Sequence, residues 1–326
     1  MAKTMNQRIQ VLRAVAIFAV VMIHTCPGGL PQVFVRPFIN FAVGTFLFLS
    51  GYLTNIDSID TKAFYKRRIL RVLIPYIIWT VLYTAVGFYS NGVDGKQFLI
   101  NLLLAKSARH MYYVLVYIQF MLLTPSLGRL LKTRQWWVGF VIAPLSLALR
   151  YYWVFTGISP NYYVSAVWDI CCLAWFTFYY LGLYLRNSNT RPTFHYRPLL
   201  AVYAASLVIQ MLEGFWWYRL GADNFGTQLK LSSLLTTSVF ILLAYSYITQ
   251  ENTDSRYKAL VLIGNYSFGI YLSHFMIIIL LDAFFPVRQA IPFPFNSVIV
   301  LLLSFILVSL GHKILGDKVS KYLGFY

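Results

Sequence analysis

Ten apolar runs of roughly bilayer-crossing length fill most of this 326-residue chain. They cover residues 10–27, 33–53, 69–89, 110–130, 136–154, 164–185, 198–218, 230–249, 259–282 and 293–313. An α-helix needs about 20 apolar residues to cross the hydrocarbon layer. The strands of a membrane β-barrel are about half as long and alternate polar with apolar positions, a pattern these runs lack. The chain is 59% hydrophobic and 11% charged, against about a quarter charged in soluble domains. It is therefore expected to be an all-α, polytopic membrane protein of about ten transmembrane helices. Residues 98–106 form a shorter apolar piece, read as interfacial or re-entrant. The polar connections at 54–68, 90–109, 186–197 and 219–229 are too short to bury a core of their own. Residues 1–326 are thus read as one membrane domain with no soluble domain.

Basic residues orient such an array. With the N-terminus inside, eighteen of the 27 lysines and arginines fall on the inner side, among them Lys3, Arg8, Arg191 and Arg256. Eight fall on the outer side, among them Arg36, Lys106, Arg109 and Arg288, and Arg13 is left within the first span. Both termini are expected in the cytoplasm, and the protein in the inner (cytoplasmic) membrane. The net charge of +17 mostly reflects this asymmetry and is not a nucleic-acid footprint. Lys3 and Arg8 ahead of an apolar core resemble a signal peptide, but Arg13 interrupts the core and no small-x-small cleavage site follows, so the segment reads as a retained helix. Cys26, Cys171 and Cys172 show neither metal spacing nor a disulfide framework, and no metal is expected.

Arg13 and His24 both lie in the first run, with ten residues between them. Eleven helical positions make about three turns, so the two side chains share a face, about 16 Å apart along the axis. An arginine inside a membrane helix costs a few kcal/mol and normally faces protein or a wet cavity. The pair reads as the walls of one passage through the bilayer; the plainer alternative is an Arg13 that snorkels to the headgroups. Sorted by depth, His24, His110, Asp169, Glu213 and His274 converge on the outer leaflet from five helices, with Tyr112 and Tyr113 beside His110. The run Lys66-Arg67-Arg68-Ile69-Leu70-Arg71 lies on the inner side. Taken singly, each histidine reads as a helix–helix contact and the basic run as a positive-inside and headgroup signal. Taken together, anion-binding groups inside and acid–base groups outside suit a cytosolic phosphate-bearing donor and an outward-facing acceptor.

The arrangement of motifs resembles the membrane acyltransferase-3 family over essentially the whole chain. The resemblance rests on Arg13 with His24, on Gly44-Thr45-Phe46-Leu47-Phe48-Leu49-Ser50-Gly51-Tyr52-Leu53, and on Arg67-Arg68-Ile69-Leu70-Arg71 before Pro75. It extends to His110-Met111-Tyr112-Tyr113 and to Asn265-Tyr266-Ser267-Phe268-Gly269-Ile270-Tyr271-Leu272-Ser273-His274. The family's fourth-span motif more often carries Leu-Trp where this chain has Met111-Tyr112. The resemblance implies transfer of an acyl group, most often acetyl from acetyl-CoA, to hydroxyls of cell-envelope sugars such as lipopolysaccharide, capsule or peptidoglycan. It also implies that His24 is the essential histidine of the first helix and Arg13 its partner, with Arg68 and Arg71 linked to the acyl donor. Many relatives continue into a hydrolase-like domain outside the membrane; with the sequence ending at Tyr326, this one is expected to act alone or hand its product on.

The chemistry of the residues fits on its own terms. Arginine forks suit phosphate and do not titrate, so Arg67, Arg68 and Arg71 suit the phosphates of an acyl-CoA. A histidine that titrates near neutrality suits proton removal from a sugar hydroxyl. His110, Tyr113, Asp169, Glu213 and His274 are the candidates for the acceptor site, and Asp169 or Glu213 would orient His24 or grip the sugar. A covalent route through Cys26 is disfavoured, because two helical positions carry it to another face. The expected partners are acyl-CoA, an envelope sugar or lipid-linked glycan, and membrane lipid. The competing reading is a proton-coupled transporter built on the same His, Asp, Glu and Arg residues, although no matched pair of broken helices is visible in the sequence. A sensor or assembly protein with a degenerate site is a third.

Overall fold

In hydrocarbon every backbone polar group needs a partner within the protein, which restricts spanning segments to helices or closed barrels. The computed structural model describes residues 7–58, 61–91, 94–157, 161–188, 192–222, 225–249, 257–285 and 290–326, and all of its regular elements are helical. Lys3, Arg191, Arg256 and Arg288, counted in the charge bias, lie outside the described residues. The chain runs through α1 (Gln7–Thr25), α2 (Pro31–Val35), α3 (Phe41–Tyr52), α4 (Thr61–Asn91), α5 (Gly95–Leu103), α6 (Tyr112–Leu131) and α7 (Val138–Thr156). It continues through α8 (Tyr162–Ile170), α9 (Phe176–Asn187), α10 (Tyr196–Arg219), α11 (Leu231–Ile248), α12 (Lys258–Asn265), α13 (Ser267–Phe284) and α14 (Phe295–Leu323). Ten helical spans among the described residues are long and apolar enough to cross a membrane, each overlapping one of the ten apolar runs, although the ninth begins only at Ser267 and the tenth extends to Leu323. The short piece at 98–106 falls on α5, an amphipathic helix too short to cross, capped where Asp94 accepts the Gln97 N–H at 2.7 Å.

The second and sixth spans are interrupted, the last breaks at Gly316 (φ 67°, ψ 172°), and the run 259–282 is divided between α12 and α13, features the sequence reading did not anticipate. The second is α2, a 3-10 turn at Arg36–Phe38, and α3; Pro37 has no N–H to continue the helical ladder. The sixth is α8, an extended Cys171 (φ −75°, ψ 135°), a 3-10 turn at Leu173–Trp175, and α9. Backbone groups freed at that break find one partner on α6: the Gln119 amide donates to the Ile170 carbonyl at 2.7 Å and accepts from the Cys172 N–H at 3.1 Å. One glutamine side chain thus replaces the missing helical bonds, as a membrane interior demands.

Alternate passes sort the helix ends onto two faces. On one, Arg8 donates to the Tyr247 carbonyl, Lys132 pairs with Asp57 and Asn187 donates to the Thr54 carbonyl. This is the basic face, where the 66–71 run also lies. On the opposite face Thr25 bonds Ser297, Arg36 donates to the Gly226 carbonyl and Lys106 pairs with Asp169. The spans containing α1 and α3 are the central ones, 61% and 67% buried, while those formed by α7, α10 and α14 are each 22% buried and face outward.

Where α3 crosses α9 the backbones touch. A Cβ on Gly51 would lie 2.2 Å from the Tyr179 carbonyl oxygen, and one on Gly182 would lie 2.2 Å from that of Phe48. Small residues that permit this approach are the usual basis of helix association in lipid. Gly51→Ala and Gly182→Ala are each expected to cost about 1–3 kcal/mol by overpacking, lowering the thermal midpoint of the detergent-solubilised protein by several degrees. Gly87→Ala, which meets open space, should leave the midpoint unchanged or slightly raised.

Candidate functional site

Helical spacing brings Arg67 and Arg71 onto one face of α4, with Arg68 one turn before Arg71. That end of α4 opens onto a cavity of about 600 Å³ lined by Arg67, Arg68 and Arg71 from α4, Arg13 and Gln10 from α1, and Ser50 from α3. Tyr113 and Tyr117 from α6, Asn265, Ser267 and Tyr271 around the start of α13, and Tyr326 complete its polar wall. Four guanidinium groups therefore share one cavity, and neither Asp nor Glu is among its described lining residues. Gln10 accepts from Arg13 at 3.5 Å, and Arg71 stacks on the Tyr326 ring at 4.0 Å. Polar neighbours orient these cations without neutralising them, which leaves a chamber suited to an anionic ligand.

Toward the opposite face the three histidines of the expected acceptor side meet. His24 comes from the last turn of α1, His110 from the bend before α6, and His274 from α13. Their ring centroids are 6.1 Å apart for His24 and His110, 5.3 Å for His24 and His274, and 4.8 Å for His110 and His274. Phe275 packs against both His24 and His110 at 5.5 Å, and Tyr83 against His110 at 5.5 Å. His24 is half-buried, whereas His110 and His274 are 2% and 0% exposed. His274 Nδ1 faces the Tyr271 carbonyl at 2.7 Å and the Ile270 carbonyl at 3.2 Å. Two acceptors require Nδ1 to carry the hydrogen, so in the neutral ring Nε2 is the free acceptor. That Nε2 is buried without a partner, and neither ring nitrogen of His110 reaches hydrogen-bonding geometry. Buried polar atoms are normally satisfied; three bare nitrogens in one cluster mark a place built for a ligand or water.

One layer of tyrosine separates the two halves. The cavity ends at Val20, Tyr113, Val114 and Tyr271. Tyr271 donates to the His110 carbonyl and stands 5.0 Å from the His110 ring and 5.5 Å from that of Tyr113. The sequence reading expected Arg13 and His24 to wall one continuous passage. The structure places Arg13 among the residues that line the cavity and His24 outside that lining, with Tyr271 between the cavity and the His110 ring.

The two carboxylates are not brought to the histidines. Asp169 is half exposed and paired with Lys106 at 3.0 Å. Glu213 accepts from the Ser232 hydroxyl and from its N–H at 3.3 Å, next to the buried Lys230, whose ammonium donates to the Phe225 carbonyl at 2.8 Å. Among the described residues no carboxylate is hydrogen-bonded to His24, and no group of three or more His, Cys, Asp or Glu is placed to hold a metal ion. Sequence reasoning passed over Arg36, which donates to the Ile23 carbonyl at 3.0 Å, one residue before His24, and to Asn40 and Gly226. Its signal was an arginine inside an apolar run. Tyr271 sat unmarked within a quoted motif, and Tyr326 gave no signal at all.

Comparison with known proteins places this geometry. The family described as acyltransferase domain is matched over residues 6–311. Relatives in Staphylococcus aureus strains MSSA476 and MW2, each named "Probable poly-beta-1,6-N-acetyl-D-glucosamine export protein", are 22% identical over 289 residues, covering 85% of this chain and 79% of the relative. No solved structure matches the chain.

The cavity should be wet and the outer surface of α6 should not. With the native cysteines replaced, a cysteine at Ser50 is expected to react with a water-soluble thiol reagent at least tenfold faster than one at Leu122, which is exposed on the bundle's flank. Equal rates would show that the cavity is closed to water.

Proposed function

The chain belongs to the acyltransferase-3 family, and on that premise we propose that it moves an acyl group, acetyl in the first instance, from cytosolic acyl-CoA to a hydroxyl of a cell-envelope glycan or glycolipid across the inner membrane. One observation carries this reading: four arginines, with neither Asp nor Glu beside them, line a cavity whose Tyr271 packs against the cluster of three histidines. Arg67, Arg68 and Arg71 hold the donor's phosphates through charge-assisted, forked hydrogen bonds. The uncharged pantetheine arm lies past Arg13, and the Tyr113–Tyr271 layer parts to admit the thioester while keeping water from it. The positive-inside bias supports placing the basic face in the cytoplasm, with both termini.

At the far side His24 takes the proton of the acceptor hydroxyl as its oxygen attacks the thioester carbonyl. The tetrahedral intermediate collapses with cleavage of the C–S bond, and the departing CoA sulfur receives that proton from the imidazolium. General base catalysis of this kind is worth about 10²–10⁴ in rate. His110 and His274 supply the bare nitrogens against which a hydroxyl-rich acceptor can bond, and Tyr113 lies on the cavity side of the same layer. Asp169 and Glu213 stand farther out, where they would contact the rest of the acceptor.

A second reading, a proton-coupled exporter, is favoured by the printed name of the Staphylococcus aureus relatives and by the interrupted spans. It predicts substrate flux into proteoliposomes without any need for acyl-CoA.

Two substitutions test the proposal, with Cys26→Ser as the control. Arg68→Ala should weaken acetyl-CoA binding about 10- to 100-fold, the effect of a lost charge-assisted contact. His24→Ala should leave binding within about twofold but cut acetylation of envelope glycan, read by mass spectrometry, by about 10²-fold or more. Cys26→Ser should match wild type. Intact acetylation in both arginine and histidine variants would overturn the assignment.

A further inference from the structure

Pro75 lies inside α4, four residues after Arg71. In a helix the carbonyl of residue 71 accepts from the N–H of residue 75, and a proline has none to give. The Arg71 carbonyl is thus orphaned at the mouth of the cavity. Tyr326 supplies the missing donor: its hydroxyl reaches the Arg71 carbonyl at 3.2 Å, while its ring lies under the Arg71 guanidinium at 4.0 Å. One side chain grips one arginine at both backbone and head.

The segment that delivers Tyr326 is itself anchored. Gly324 takes a left-handed conformation (φ 77°), turning the chain after α14 back toward α4. Phe325 is 5% exposed and fills a slot whose floor is Gly269 and Gly311; a Cβ at either glycine would approach its ring or the α14 side chains to 2.7 Å. Trp79 donates to the Leu323 carbonyl at 3.0 Å, and His312 meets the Phe325 carbonyl at 2.8 Å. Bonds from α4 and α14 and contacts from α13 therefore hold the segment where Tyr326 forms part of the cavity wall.

We propose that Tyr326 is a positioning residue of the donor cavity, holding Arg71 against its ring and capping the Arg71 carbonyl so that the guanidinium is aimed at the anionic end of the donor. This rests on the acyl-CoA reading above. Without the grip, Arg71 is repelled by Arg13, Arg67 and Arg68 and has nothing to keep it over the cavity.

The test is acetyl-CoA binding and steady-state kinetics on the full chain in lipid nanodiscs, with thermal midpoints recorded alongside. Tyr326→Ala should raise Kd and KM for acetyl-CoA about tenfold with kcat within twofold. Tyr326→Phe, which keeps the ring but loses the hydroxyl, should raise them about threefold. Pro75→Ala restores an N–H to the Arg71 carbonyl, so Pro75→Ala/Tyr326→Phe should bind as Pro75→Ala alone does. Unchanged Kd in folded Tyr326→Ala, with wild type binding CoA normally, would overturn the proposal while leaving the donor assignment intact. Failure of wild type to bind acetyl-CoA would overturn both. A drop in kcat with KM unchanged would likewise overturn it.

Discussion

Repulsion among like charges gathered around one cavity is the constraint on which this structure turns. At an effective dielectric of about 20, two unit charges ~7 Å apart repel by about 2 kcal/mol. Arg13, Arg67, Arg68 and Arg71 share one cavity with no anionic side chain among its lining. A membrane domain that needed only topology or headgroup contact would spread such charges along its rim, where lipid phosphates and water screen them. Gathering them around one cavity has a cost that, on the proposed reading, a bound polyanion would relieve. The tyrosines of the cavity, and the grip of Tyr326 on Arg71, are ways of holding cations in place until that ligand arrives.

The second organising element is the thinness of the barrier between cavity and histidine cluster. Tyr271 touches both sides, lining the cavity while bonding the His110 carbonyl. Central position follows from packing. The span containing α1, which carries both Arg13 and His24, is among the most buried, and the close crossing of α3 on α9 holds the second span against the bundle. The interrupted spans bring Arg36 to the carbonyl next to His24 and set the Gln119 bridge at the sixth span. Irregular backbone at membrane depth is tolerated only where protein or a wet site satisfies it, and at the sixth span the Gln119 side chain from α6 does so.

Much of this was legible in the sequence. The ten spans followed from run length alone, and the Arg13 and 67–71 arginines were visible because a cation in or beside an apolar run is costly enough to demand a reason. His24, His110 and His274 were each flagged, but their meeting was not readable, since His110 lies 86 positions after His24 and His274 a further 164 on, and only packing brings them together. Depth without azimuth is also why Asp169 and Glu213 were grouped with them: both lie toward the same face but turn to Lys106 and to Ser232. Tyr271 was invisible because an aromatic residue in a membrane helix defaults to belt or core, and Tyr326 because nothing in the sequence ties it to α4; only coordinates show one against both cavity and His110 and the other completing a proline-broken ladder.

The central claim is that a donor anchored by the guanidinium groups reaches through the tyrosine layer to His24. An acyl-CoA bearing a photoreactive group on its acyl end measures this directly, with the labelled residues of the full chain mapped by mass spectrometry after illumination. The account expects label on Val20, Tyr113, Val114, Tyr271 and the His24–His274 cluster, suppressed by excess CoA. Label confined to the rim of the basic face, around Lys66 and Arg67 and absent from the histidine side, would contradict it.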